Sequence, residues 1–220
     1  MPPDAVLDAF ELAADSLVRA TSGLINPTWF ARSTRGDEVV LQRVNPIFPT
    51  TVNLDIAAVT EHLARKGHVT PRLVRNRHGQ LWLDHDGETW RVLTRIAGVC
   101  RDALESPSQA REAGRVLAEF HRALDDLDYT FKSARLGVHD TPRHLKALRE
   151  ALAEHAEHRD LVRIRPLAEH VLALAETLPP LPPVRDRIVH GDPKISNLMF
   201  AADGQRALCL IDLDWVTSSA

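Results

Sequence analysis

The chain has 220 residues, 44% hydrophobic and 26% charged, enough for one large domain or two small lobes. A formal net charge of −3, with no dense Lys/Arg stripe interleaved with aromatics, argues against a nucleic-acid partner. The N-terminus MPPDAVLDAFELAAD is not a leader sequence, no stretch approaches the about eighteen apolar residues of a membrane span, and Cys100 and Cys209 lie far apart. A secreted, membrane-spanning or zinc-ribbon protein is therefore not expected, and the cytoplasm is the expected compartment.

Apolar residues at helical spacing predict a helix from Ala5 to Ala20, closed by the loop residues Thr21-Ser22-Gly23. Two β-prone runs follow, Thr28 to Ser33 and Glu38 to Val44, joined by the hairpin turn Thr34-Arg35-Gly36-Asp37. Asn53 is the expected cap of a helix reaching Lys66, with Ile56, Val59 and Leu63 on one face and Gly67 past its end. Strands at Arg72 to Arg75, Gln80 to Asp84 and Thr89 to Ile96 complete a small antiparallel sheet. After Gly98, residues Ala110, Ala113, Leu117, Phe120, Leu124 and Leu127 mark a long amphipathic helix. Its apolar face is wide enough to need more than one partner, so an exposed patch is expected there. Helices from Pro142 to Glu157 and Leu161 to Leu178 follow, the first capped by Thr141. A proline-rich connector, LPPLPPV, then leads to a short strand before His190.

The chemistry is concentrated at HGDPKISN, His190 to Asn197, and in the apolar run LCLIDLDW that carries Asp212 and Asp214. A transferring phosphoryl group needs one carboxylate to orient the attacking hydroxyl and oxygen ligands for the metal ions that bridge the phosphates. Asp192 fits the first role. Asn197 and Asp212 fit the second, because magnesium takes one or two carboxylates plus amide oxygen, phosphate and water. Asp214 is either a further ligand or a hydrogen-bond partner within the turn. Turn residues alone would explain Asp and Asn in loops, but carboxylates inside Ala207 to Val216 are costly to bury without partners. Lys194 lies where its charge reaches a γ-phosphate, and His190 reads as a structural residue bonding the loop backbone. The helical pair His155 and His158 lacks a third ligand and reads as solvated rather than metal-binding.

HGDPKISNLMF followed by LIDLDW resembles the aminoglycoside phosphotransferase and choline kinase superfamily. GLINPTW, VVLQRVNP, LDIAAVTEHL, WRVLTRIAG, EAGRVLAEFHRALDDLD and VHDTPRHL together resemble its bacterial N-acetylhexosamine 1-kinase branch. The resemblance implies an α+β, bilobal protein-kinase-like fold, with an antiparallel β-sheet N-lobe at 1–97 that binds nucleotide and a mainly helical C-lobe at 98–220. It implies ATP and Mg2+ as cofactors and transfer of the γ-phosphate to a small-molecule hydroxyl, most simply the anomeric hydroxyl of an N-acetylhexosamine. Aminoglycosides, choline-like alcohols, other sugars, or a non-catalytic nucleotide-binding role remain the alternatives. By the same resemblance Arg43 is the strand cation on the phosphates with Glu61 as its helix carboxylate. Asn26 and Thr28 contact phosphate, Thr94 to Ile96 present backbone to adenine, and Asp140 and Arg143 border the acceptor. These residues specify no oligomeric state. Relatives continue beyond the position of Ala220, so the helical lobe is expected to be incomplete, and Trp215 stands where a small hydroxyl residue is usual.

Overall fold

A computed structural model describes residues 1–21, 25–133, 138–179, 182 and 184–219. The chain divides into two compact units, one of Met1–Ala134 with Asp186–Ser219, the other centred on Arg135–Arg185.

In the first unit an antiparallel sheet runs in the order β1 (Val18–Arg19), β2 (Thr28–Arg32), β3 (Glu38–Val44), β6 (Glu88–Thr94) and β4 (Leu73–Val74), and β5 (Leu83–His85) also pairs with β6. The β2–β3 hairpin has the expected bounds within a residue, and Gly36 takes φ +94° in its turn, a conformation that side chains with a Cβ disfavour. Successive strand residues point to opposite faces, so the sheet sorts its side chains into two sets. Trp29, Ala31, Val39, Leu41, Trp90 and Val92 are buried with Val6, Leu7, Ala9 and Phe10 of α1 (Asp4–Ala9) and its C-cap. Trp29 and Trp90 meet with ring centroids 5.6 Å apart. The opposite face carries Thr28, Gln42 and Arg91, paired across the strands as Thr28↔Gln42 and Gln42↔Arg91.

The expected helix over residues 5–20 is replaced by the short α1, a 3-10 turn at Ala14–Ser16 and β1. Glu11 adopts φ +53° and ends the helical run. The backbone beyond it finds sheet partners instead: Ala13 N–H donates to Arg32 O and Ala20 N–H to Thr28 O, each at 2.9 Å. Phe10 and Leu12 are buried although the long helix that their spacing suggested is absent.

α2 (Val52–Arg65) buries Val52, Ile56, Val59 and Leu63, and past it Gly67 turns at φ +80°. Thr51, not Asn53, stands at its N-cap, because Asn53 lies one residue inside the helix with its amide donating to Thr50 O at 3.0 Å. Asp55 on the same helix is fully buried. It accepts from the Tyr129 hydroxyl (2.8 Å), from Lys132 N and Ser133 N (2.9 Å each) and from the Ser133 hydroxyl. One carboxylate thus anchors the loop after the next helix. Asp55→Ala should cost about 2 to 3 kcal/mol in denaturant unfolding, the scale of hydrogen bonds to a charged, buried acceptor. An unchanged midpoint would mean that the loop is held by its apolar contacts alone.

α3 (Pro107–Ala123) starts at Ser106, whose side chain accepts from Gln109 N at 3.3 Å. It ends four residues before Leu127. Its buried residues Val116, Phe120 and Ala123, with Leu124, pack with β8 (Leu198–Phe200) and β9 (Ala207–Leu210), an antiparallel pair, in the same core as α2. The exposed patch expected on this helix is therefore not there. β7 (Arg187–Val189) pairs with β10 (Thr217–Ser219). The segment after β6 is stitched to β8 by reciprocal hydrogen bonds between Val99 and Phe200, both 2.9 Å.

The second unit holds α4 (Thr141–Glu154) and α5 (Leu161–Thr177), close to their expected bounds. Asp140 rather than Thr141 caps α4, accepting from Arg143 N at 3.0 Å. Among the described residues of this unit the large exposed apolar side chains are Val162, Ile164, Leu167, Val171 and Leu174 of α5, with Leu178 and Val184 after it. Among the described residues, no helix is long and apolar enough to cross a membrane.

Candidate active site

The HGD loop leaves β7 through Gly191, which has φ +82°. A Cβ there would run into the backbone carbonyl and Cβ of Trp215, so only glycine allows the loop to lie this close to the segment after Asp212. His190 is almost completely buried; its Nε2 bonds Ile211 O at 2.9 Å, and its Nδ1 accepts from Asp192 N at 3.3 Å. Since a carbonyl can only accept, Nε2 carries the proton and the ring is neutral. Burial lowers its pKa, in keeping with that form. His190 thus has the structural role read from the sequence: it fixes the loop to the strand that precedes Asp212.

Asp192 remains 29% exposed. Lys194 Nζ stands 2.5 Å from its Oδ2, and Asn197, in a 3-10 turn, donates its amide to Asp192 O at 2.9 Å and to Oδ2 at 3.1 Å. Both bonds use Asn197 Nδ2, which leaves the amide oxygen as its acceptor atom. Ile211 N–H donates to Asn197 O at 2.9 Å, bringing the loop alongside the next residue, Asp212. Asp212 itself takes φ +63°, the left-handed region, which Asp and Asn tolerate better than most residues. Its pKa is raised to about 6, first by burial and then by the neighbouring charge of Asp214.

Asp214 is enclosed, its side chain 1% exposed. The fork of Arg91 meets it at 2.6 Å (NH1 to Oδ1) and 2.8 Å (NH2 to Oδ2), and Asn26 Nδ2 donates to Oδ2 at 2.7 Å. Burial would push the Asp214 carboxyl up, but the charge and hydrogen bonds of Arg91 outweigh this and hold it low. Arg91 also donates from Nε to Gln42 Oε1 at 2.9 Å and lies 3.4 Å from Asn53 Oδ1.

The donor set suits a hard divalent cation. The Arg91 guanidinium is spent on the buried Asp214, so the negative charge of the half-buried Asp212 is left for a cation. Asp212 and the Asn197 amide oxygen are the ligand types magnesium accepts alongside phosphate and water. Among the described residues no group of three or more His, Cys, Asp or Glu forms a self-sufficient metal cage.

Several expected residues lie elsewhere. Arg43 does not face this cluster: it shares the strand face of Leu41 and Trp90, and its carboxylate partner is Glu88 at 2.5 Å, not Glu61. The cause is the two-residue period of the strand, which sends Gln42 toward the site and Arg43 away from it. Glu61 is exposed on α2. The strand cation at the site is Arg91, which the sequence reading passed over; an Arg between buried Trp90 and Val92 was the available signal, since such a charge needs a partner. Asn26 is buried with its Oδ1 accepting from Asn45 N at 2.8 Å, so both ends of its amide are in use. Thr28 donates to Asn26 O at 2.8 Å. Residues 23 and 24 of the GLINPTW turn lie outside the described residues. The Thr94 amide is committed to Arg72 O at 2.8 Å, and Ile96 follows the end of β6. Asp140 and Arg143 belong to the second unit, at the start of α4.

Comparison with solved structures shows the same fold. The amicoumacin kinase hAmiN, determined with AMP-PNP, Ca2+ and Ami, matches with a TM-score of 0.68 at 13% identity, over 98% of this chain and 64% of that one. An aminoglycoside phosphotransferase from Alicyclobacillus acidocaldarius matches at 0.65 and 17%, over 100% and 68%. The macrolide 2'-phosphotransferase MphH from Brachybacterium faecium matches at 0.57 and 19%, over 98% and 73%. This chain thus spans 64% to 73% of the length of these three relatives. The sequence pattern of the phosphotransferase enzyme family runs through residues 16–218, from just before β1 into β10, and the chain belongs to that family.

Proposed function

We propose that the chain carries the phosphoryl-transfer centre of an ATP-dependent small-molecule kinase, moving the γ-phosphate to a hydroxyl, most simply the anomeric hydroxyl of an N-acetylhexosamine. The observation that carries this reading is the convergence of Asp192, Lys194, Asn197 and Asp212 on one loop–strand junction. Residues 1–97 serve as the nucleotide-binding lobe in this reading and 98–220 as the lobe that carries the chemistry. Asp192 accepts the hydrogen bond, and then the proton, of the acceptor hydroxyl as its oxygen forms the new bond to phosphorus and the bond to ADP breaks. Lys194, held against Asp192, provides positive charge beside the transferred group. Asn197 and Asp212 hold magnesium, which when bound offsets charge on the β- and γ-phosphate oxygens.

The nucleotide and metal are supported by hAmiN, a neighbour in fold that was solved with AMP-PNP and Ca2+. The sugar acceptor rests on the run of motifs that resembles the hexosamine kinases, and Asp140 and Arg143 enter as acceptor-side residues on that basis alone. A screen of N-acetylhexosamines, aminoglycosides and choline with magnesium-ATP tests the reading. Sugar 1-phosphate is the expected product, whereas phosphorylation of an aminoglycoside alone would move the assignment to that class, and no product from any acceptor would count against the proposal.

Asp212→Asn preserves shape and left-handed backbone while removing the charge. It should abolish the part of ATP affinity that depends on magnesium, measured by calorimetry with and without the metal. Equal magnesium dependence in the wild type and the variant would place the metal on other residues.

A further inference from the structure

We infer that Asp214 is a positioning residue rather than a magnesium ligand: it is the hub of a latch in which Asn26, from the loop before β2, and Arg91, from β6, are tied to the segment that carries Asp212. The inference rests on the nucleotide-binding reading above and says how that site is held together.

Three of the roughly four acceptor positions of an ionised carboxylate are already filled at Asp214, two by Arg91 and one by Asn26. The donors are themselves fixed. Arg91 is locked by Gln42 on the neighbouring strand, and Asn26 is locked by Asn45 N at the end of β3, while Asn45 returns a bond to Ile25 O at 3.2 Å. The chain at 25–28 is therefore pinned on one side to the sheet and on the other to the segment after Asp212. A glycine-rich phosphate loop moves because its residues lack such ties. Here the loop has no glycine from Ile25 to Thr28, and a buried amide sets its distance from the metal-binding residues.

The latch and the ligand readings differ in what they require of position 214. A metal ligand must stay a carboxylate on that segment. A latch needs one carboxylate and one amide facing each other beside Arg91, and either side of the contact can carry either group. Exchanging them separates the two.

The experiment is calorimetry of magnesium-ATP with the whole chain, with thermal melts to establish folding. Asn26→Asp sets two buried carboxylates against each other and should weaken magnesium-ATP binding about tenfold or more, the equivalent of losing one hydrogen bond to a charged group. Combining it with Asp214→Asn restores the pair in reversed order and should return most of the lost affinity. Recovery is a readout that a purely structural role of Arg91 and Asp214 in the fold would not confine to the nucleotide complex, provided the unliganded melts of the two variants are alike.

If Asn26→Asp binds as the wild type does, there is no latch. If the exchanged protein folds but stays weak, Asp214 is needed as a carboxylate and the inference is wrong. Should the exchanged protein not fold, a structure of the wild-type chain with Mg2+ and AMP-PNP decides. Asp214 remaining on Arg91 upholds the inference, and an Asp214 oxygen at about 2.0 to 2.1 Å from the metal, the magnesium–oxygen bond length, overturns it. A wild-type chain that binds no magnesium-ATP at all would remove the nucleotide-binding reading, and the latch with it, before any variant is compared.

Discussion

Asp192→Asn should lower turnover by about 10² to 10⁴, the usual cost of removing a positioned general base, and should leave nucleotide affinity nearly unchanged. The two shapes are nearly identical, and the amide oxygen can still accept from Lys194 and Asn197 as the carboxylate does. What is lost is the ability to take a proton. Because Asp192 is partly open while Asp214 is enclosed, the effect should fall on the acceptor step and not on the nucleotide. Steady-state rates at saturating acceptor, set beside calorimetric ATP affinity, read the two apart. Full turnover in the variant would remove Asp192 from the chemistry.

The largest expected loss of stability is that of Arg91→Met. It strands a carboxylate whose side chain is 1% exposed, and breaking one side of such a pair typically costs about 3 to 5 kcal/mol. Replacing both members, as Arg91→Met with Asp214→Leu, should recover most of that loss, since an apolar pair of similar volume removes the stranded charge. Urea unfolding of the two proteins makes the comparison. A single variant that loses less than about 1 kcal/mol, the range of an exposed ion pair, would mean that water reaches Asp214.

The clustering of the loop's polar side chains was readable from the sequence because it is local. Asp192, Lys194 and Asn197 lie within six residues, and a turn of that length can bring them together in few ways. The β2–β3 hairpin and the bounds of α4 and α5 were readable for the same reason, each being set by neighbouring residues. Arg43 and Arg91 mark where reading stopped. Both sit on strands, and a shift of one residue in the face assignment exchanges the site for the far side of the sheet. Arg91 meets Asp214 across 123 positions of sequence, and Asn26 meets it across 188, separations at which spacing carries no information. The N-terminal segment failed differently. Its apolar spacing suits a helix, but the edge of the sheet offered the same backbone a second set of partners.

The left-handed turn at Asp212 also limits what mutation can do to this protein over generations. Most replacements there would strain the backbone, and selection for folding would remove them whether or not the enzyme was needed. Asparagine and glycine fit the turn and carry no charge. A descendant that had given up its chemistry could therefore keep its shape unaltered, with one of those two residues as the only local trace. Ancestral function and present function would part at a single codon, in a molecule that still folds as its relatives do.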